Sequence, residues 1–484
     1  MTSRYRVEYS LKQHRRDYFI EFIKGLLAVP FVLNGDINQF ANSGREFLDP
    51  EFYSDVKRFE DGISHECFRK FSDVFGDIER LVDNTILVDA NNDRYGTHTQ
   101  SRLRKLVPSI GRFHTRLPLV DAFRIEDERR GISRRRLVAP SFNDVRMILN
   151  TAQILGLVQN YHDDNPQQLK LLTFDGDVTL YEDGQNLEPD SPVVSRLVEL
   201  LRRDFFIAVV TAAGYPGQQG ATNYYKRLKG LVDTINGPDS ALTEAQKRNL
   251  LIVGAESNYL FRFNPEMRGF QYIESADWFL PAMKSWDKKK LDEIMDISEQ
   301  HLIHLQEKFG LKDNTTIIRK ARSVGIIPNP GYSILREQLE EMVLSCSFIL
   351  SNIDMGPSGK ALPVGGYTQD DNIETHEIRV CAFNGGSDVW VDIGDKSLGV
   401  EALQRYLCQD ESLQHLCPIT KAESLHIGDQ FASVGSNDFK ARLSACTAWI
   451  ASPRETVGCL DDLLSELDRR AELKKKKEAE ASDQ

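Results

Sequence analysis

The sequence predicts an α/β protein: a parallel-sheet core, a large α/β cap inserted into that core, and a helical N-terminal domain. Three observations lead there. Short apolar runs at 171–174 and 205–211 flank an amphipathic stretch at 191–203, which is the strand–helix–strand alternation of a parallel sheet. Between Thr211 and Lys396 the chain has room for a whole further domain, far more than a strand-to-strand crossover needs. Before residue 166 the apolar residues recur at helical spacing. The expected boundaries are a helical, regulatory domain at 1–165, core segments at 166–214 and 392–466, the cap at 215–391 and a charged tail at 467–484.

The elements follow in order. The run Arg15 to Leu27 is amphipathic, and Phe68 to Leu87 keeps apolar residues on one helical face. Ser141, with Asp144 three residues on, precedes VRMILNTAQIL, an N-cap with an acid at N3 that predicts a helix over 142–157. Strands are expected at 171–174 and 205–211 with a helix at 191–203. Within the cap, LLIVG, NYLFRF and TTIIRKA predict strands, and a long helix is expected near 288–309. Residues 374–393 predict a β-hairpin turning at NGGS. A helix at 398–408, strands SLHIGD and TAWIAS and a final helix complete the core. The end, AELKKKKEAEASDQ, is expected to fray as a solvated charge run.

The chain of 484 residues is 41% hydrophobic, enough for substantial cores. Its formal net charge of −12 excludes nucleic acid and anionic membrane as default partners. The apolar run near 25–33 is too short to span a bilayer and contains Pro30. The N-terminus carries no signal-peptide apolar segment. Seven cysteines, an odd number with no C-x-x-C spacing, are expected to be reduced thiols. A cytoplasmic protein fits all of this.

Four features in sequence carry the chemistry. Asp175 and Asp177 bracket a glycine where the buried run LLTF ends. Thr211 ends FFIAVVT, Lys396 opens a helix, and Asp429 ends the strand in HIGDQF with Asn437 and Asp438 beyond it. Ligands of open parallel sheets bind outside the carboxyl ends of the strands, so three distant segments can converge there. A phosphate monoester repels a carboxylate, so a hard cation is required; Mg²⁺ takes oxygen ligands, here Asp175, Asp429 and the Asp177 carbonyl. Asp175 is then a nucleophile, Asp177 a general acid and base, and Thr211 and Lys396 stabilise the equatorial oxygens.

FDGDVTLYEDG, VVT, DKSLGVEAL and HIGDQFASVGSND resemble the four motifs of haloacid dehalogenase-like phosphatases. With IIRKARSVGIIP, FNGGSDVWVDIGDKSLGV and LVPSIGRFH, nearly the whole chain resembles the fungal and apicomplexan IMP-specific 5′-nucleotidases. That resemblance implies hydrolysis of IMP to inosine and phosphate, dependence on Mg²⁺, activation by ATP and a homotetramer. It also implies that Asp175, Asp177, Asp183, Thr211, Asp388 and Lys396 contact substrate, that Asp175, Asp177 and Asp429 hold the metal, and that Asn437 and Asp438 support it.

The residues alone leave the substrate open: a sugar phosphate or another small ester suits the same core, and nothing in them identifies hypoxanthine. Arg319, Lys320 and Arg322 are candidates for attracting the nucleotide anion. No P-loop occurs; Lys105, Arg112 and His114, beside Arg104, are the candidate ATP site. His301 and His304 are expected to be helix-surface residues.

Overall fold

A computed structural model describes residues 17–34, 50–108, 110–159, 169–351, 378–431 and 436–482. These fall into two compact units, one within Gln167–Asp461, the other within Arg16–Pro166 and Asp462–Gln484. Among the described residues no helix is long and apolar enough to cross a membrane.

The N-terminal part of the helical unit contains helices Tyr18–Asn34, Pro50–Tyr95, Arg102–Leu106, Leu119–Arg130 and Phe142–Gln159. The longest turns Phe71, Phe75, Ile78 and Val82 inward, all at most 1% exposed, the apolar stripe of an amphipathic helix. Phe123 packs against this stripe, its ring 5.0 Å from Phe75 and 6.2 Å from Phe71. The Ser141 and Asp144 pair forms as expected. The Asp144 N–H donates to Ser141 Oγ at 3.2 Å, and Asp144 Oδ2 accepts from the Ser141 N–H at 2.7 Å.

The second unit is built on a seven-stranded sheet. Its strands are β1 (Leu171–Phe174), β2 (Phe206–Val210), β3 (Leu250–Gly254), β4 (Tyr259–Asn264), β5 (Gly269–Ile273), and later β10 (Ser424–Gly428) and β11 (Cys446–Trp449), in the order β11-β10-β1-β2-β3-β4-β5. The first five in that order are mutually parallel; β4 and β5 are antiparallel additions. Phe174 pairs with Ile427 on one side and Val209 on the other. The strand order therefore reverses between β1 and β10, the switch point where a crevice opens. A smaller antiparallel sheet holds β6 (Thr315–Arg319), β7 (Ser323–Pro328), β8 (Val380–Asn384) and β9 (Val389–Ile393) in the order β6-β7-β9-β8. Helices Lys288–Lys308 and Arg336–Ser351 supply apolar residues to the same core, among them Met295, Leu302 and Met342.

Three expectations need correction. The cap does not fill 215–391: β3, β4 and β5 within that range belong to the core sheet, and the run LLIVG is buried at every residue, as a strand covered on both faces must be. The segment from 471 on, expected to fray, is helical as far as Ser482, in one helix that starts at Pro453. Cys408 and Cys417 are joined, with Cα atoms 5.6 Å apart, while the other five cysteines are free and buried. The turn Glu411–Leu416 folds the chain back after helix Lys396–Leu407 and brings the two together, which spacing alone does not reveal.

Candidate active site

Four strand tips meet at the switch point. Asp175 follows β1, Thr211 follows β2, Glu256 lies two residues beyond β3, and Asp429 follows β10. Backbone bonds tie the tips laterally: the Asp175 N–H donates to Ile427 O and the Thr211 N–H to Val253 O, both at 2.9 Å.

Lys396 is the hub. It opens helix Lys396–Leu407, which Asp395 caps by accepting from the Leu398 N–H at 3.1 Å. Its ammonium is wholly buried, 2.8 Å from Asp175 Oδ1 and 2.6 Å from Asp438 Oδ1. Burial disfavours this charge, but the carboxylates of Asp175, Asp438 and Glu256 outweigh burial and hold its pKa above the ordinary lysine value. Asp438 accepts from three donors: Lys396 and His426 Nε2 (2.9 Å) at Oδ1, and the Gln430 N–H (2.9 Å) at Oδ2. Burial opposes its charge, and those cationic and hydrogen-bonding partners nonetheless keep its carboxyl well below the usual range. Burial keeps His426 below its usual value; its neutral ring donates from Nε2 to Asp438 and accepts at Nδ1 from Thr173 Oγ1, 2.8 Å away.

Asp175, Asp429 and Asp438 each offer an oxygen within 4.8 Å of the others, the one such group of His, Cys, Asp or Glu among the described residues. Burial pushes Asp175 up to about 6, and burial with two neighbouring carboxylates pushes Asp429 up to about 9. Asp429 Oδ1 is buried without a hydrogen-bond partner among the described residues. All donors here are hard oxygens, and a divalent cation removes the mutual repulsion, so the residues fit Mg²⁺. Asp438 already accepts three hydrogen bonds, which makes Asp175 and Asp429 the more open ligands. The side chain of Asp177 is not in this trio, so its expected share in the metal site rests on its backbone carbonyl.

Gly176 answers why the two aspartates are separated by glycine. A Cβ there would lie 2.5 Å from the hydroxyl of buried Tyr181 and 3.6 Å from Thr211 Oγ1. Past it, Val178 sits at φ 60°, a conformation a β-branched residue rarely adopts. The loop turns back so that the Gly184 N–H donates to Asp177 Oδ1 at 3.0 Å, with Arg227 3.8 Å away. Asp183, in the same loop, lies beside Gly386 of the β8–β9 turn: a Cβ on that glycine would be 3.2 Å from Asp183 Oδ2. Asp388 comes from the same turn; burial raises its pKa, the charges of Asp183 and Asp177 add to it, and a bond to the Trp390 side chain opposes. Asp177, Asp183 and Asp388 thus lie close enough for their charges to act on one another.

The basic cluster at 319–322 divides. Arg319 pairs with Asp296 (3.0 Å) and Glu299 (3.2 Å), Lys320 sits 4.8 Å from the Trp390 ring centroid, and Arg322 donates to Asn258 at 3.3 Å. In the helical unit Arg104 pairs with Asp89 at 2.8 Å and Arg112 pairs with Asp93. Lys105 is exposed and His114 half-buried. His301 bonds Ser345 Oγ at 2.8 Å.

Sequence reasoning missed Glu256. Its carboxylate is fully buried and accepts from Asn437 Nδ2 at 3.0 Å. Burial pushes it up to about 8, against the pull of Lys396. An acid just past the wholly apolar run LLIVG, at the third parallel strand tip, was the available signal.

The family model for IMP-specific 5′-nucleotidase matches residues 1–460. An IMP-specific 5′-nucleotidase of Debaryomyces hansenii is 57% identical, covering 97% of this chain and all of that one; that of Saccharomyces cerevisiae is 42% identical over 96% and 99%. Among solved structures, an IMP-bound mutant of the Plasmodium falciparum IMP-nucleotidase superposes with a TM-score of 0.65 at 31% identity, covering 91% of this chain and 99% of that one. The ATP-bound form of that nucleotidase gives 0.66 at 30% identity, over 95% and 87%.

Proposed function

The chain belongs to the IMP-specific 5′-nucleotidase family, phosphoric monoester hydrolases on a haloacid dehalogenase-like α/β core, and from that premise we propose that it hydrolyses IMP to inosine and phosphate through an aspartyl-phosphate. The observation that carries the mechanism is the buried Lys396 ammonium bridging Asp175 and Asp438 at 2.8 and 2.6 Å.

An ammonium has three donors. Two are spent on these carboxylates, which leaves the third for a phosphate oxygen. Lys396 also fixes Asp175 through Oδ1, so Oδ2 is the attacking oxygen. Thr211 Oγ1 accepts from the Ala213 N–H at 3.2 Å and keeps its own proton to donate to the phosphate. Asp175 attacks phosphorus, the bond to O5′ breaks, and O5′ takes a proton from Asp177. A water then attacks phosphorus, passes a proton to Asp177, and breaks the bond to Asp175, releasing phosphate. Asp175, Asp429 and the Asp177 carbonyl would hold Mg²⁺, with Asn437 and Asp438 behind them, and the ion would supply charge neutralisation between nucleophile and phosphate. Asp183 and Asp388 serve the nucleoside, where carboxylates accept from ribose hydroxyls.

ATP activation belongs to the same reading, supported by the ATP-bound Plasmodium structure, with Lys105, Arg112 and His114 as its phosphate contacts. A cytoplasmic homotetramer completes it. The test is phosphate release from IMP, AMP, GMP and a sugar phosphate with Mg²⁺, with and without ATP. The reading expects strong preference for IMP and a gain with ATP; equal rates on all four would discard the substrate assignment.

A further inference from the structure

Glu256 is built into the site at a cost. It lies past β3 in two successive left-handed residues, Ala255 at φ 49° and Glu256 at φ 62°, a conformation that burdens any residue with a Cβ. Its N–H donates to Thr211 O at 3.2 Å, which locks this turn to the neighbouring strand tip. The side chain is 0% exposed, and a buried carboxylate is expensive where an apolar residue would fill the space freely.

Its partners account for the expense. Glu256 Oε1 accepts from Asn437 Nδ2 at 3.0 Å. Asn437 directly precedes Asp438, whose carboxylate holds Lys396. The remaining acceptors, Glu256 Oε2 and Asn437 Oδ1, are buried and have no hydrogen-bond partner among the described residues, as does Asp429 Oδ1. A pair that served packing alone has no use for two unfilled acceptors. Mg²⁺ keeps several waters when it binds carboxylates, and such waters would bring donors to these unfilled acceptors.

We infer that Glu256 and Asn437 are a positioning pair for the cation site: Glu256 fixes Asn437, and through it the adjoining Asp438, which holds Lys396 beside the metal-binding acids. This rests on the magnesium reading above.

The test is Mn²⁺ binding to the full-length protein, with free Mn²⁺ followed by electron paramagnetic resonance, so that no turnover enters. Glu256→Gln and Asn437→Ala are each expected to weaken Mn²⁺ binding by about 10- to 100-fold. The double variant should lose no more than the worse single, because both act through one link. The thermal midpoint without metal should stay close to that of the parent in any variant that folds. Parent-like Mn²⁺ affinity in the single variants, or losses that multiply in the double, would overturn the inference. Should Glu256→Gln fail to fold, Asn437→Ala alone carries the same expectation. A parent protein that binds no Mn²⁺ overturns the magnesium reading and this inference with it; a binding parent with indifferent variants overturns the inference only.

Discussion

At Gly428, the last residue of β10, a Cβ would lie 2.3 Å from Asp438 Oδ2. Replacing this glycine by alanine should therefore push Asp438 off Lys396; overpacking costs typically ~1–3 kcal/mol, and turnover should fall by more than that loss of stability explains, measured as kcat beside a urea titration. Lys396→Ala removes the one cation of the buried set and should lower kcat by roughly 10² to 10³-fold. Asp177→Asn keeps the loop's shape but not the proton transfer, and should cost roughly 10² to 10⁴-fold in kcat. At this scale much was legible. Asp175, Asp177, Thr211, Lys396 and Asp429 stand at strand or helix boundaries, and the structure gathers them at one sheet edge. Glu256 was not, because its meaning comes from Asn437, a contact between segments far apart in sequence.

Among the elements, the strands beside the site were easier to foresee than their sheet membership. The apolar run LLIVG announces a buried strand, but only lateral pairing with β2 says that it extends the core sheet rather than the cap. The length of chain between Thr211 and Lys396 suggested one large insertion, and a sequence cannot show where within that length the core stops. The cap of Ser141 and Asp144 was legible because both partners lie in one local motif. Ser141→Ala should destabilise the chain by about 1 kcal/mol at neutral pH. Burial raises the Asp144 pKa, yet the Ser141 N–H and hydroxyl, with Arg135, outweigh it and leave the group below its ordinary 3.8. A lowered carboxylate pKa stabilises above the unfolded value and loses that contribution as pH falls through the folded one. The stability gap between Asp144→Asn and the parent, followed by urea unfolding, should accordingly shrink as pH drops below 3.8.

Over the whole molecule, a net charge of −12 means that anionic substrates and effectors depend on locally placed cations. The phosphatase unit solves this with one buried ammonium and an acid cluster suited to Mg²⁺. The helical unit offers Lys105 in the open, whereas Arg112 faces Asp93. Lys105→Ala with Arg112→Ala should raise the ATP concentration needed for half-activation by roughly tenfold or more, the loss expected for charged hydrogen bonds; an unchanged ATP dependence would move the effector site elsewhere. The proposed mechanism turns on Asp175 carrying the phosphoryl group. It is tested most directly by rapid acid quench of the protein with IMP labelled in its phosphate. Label should appear on the protein within one turnover, be released by hydroxylamine as an acyl phosphate must be, and be absent from a folded Asp175→Asn variant that no longer releases phosphate. Sustained turnover by Asp175→Asn, or full turnover by the parent with no labelled protein, would contradict it.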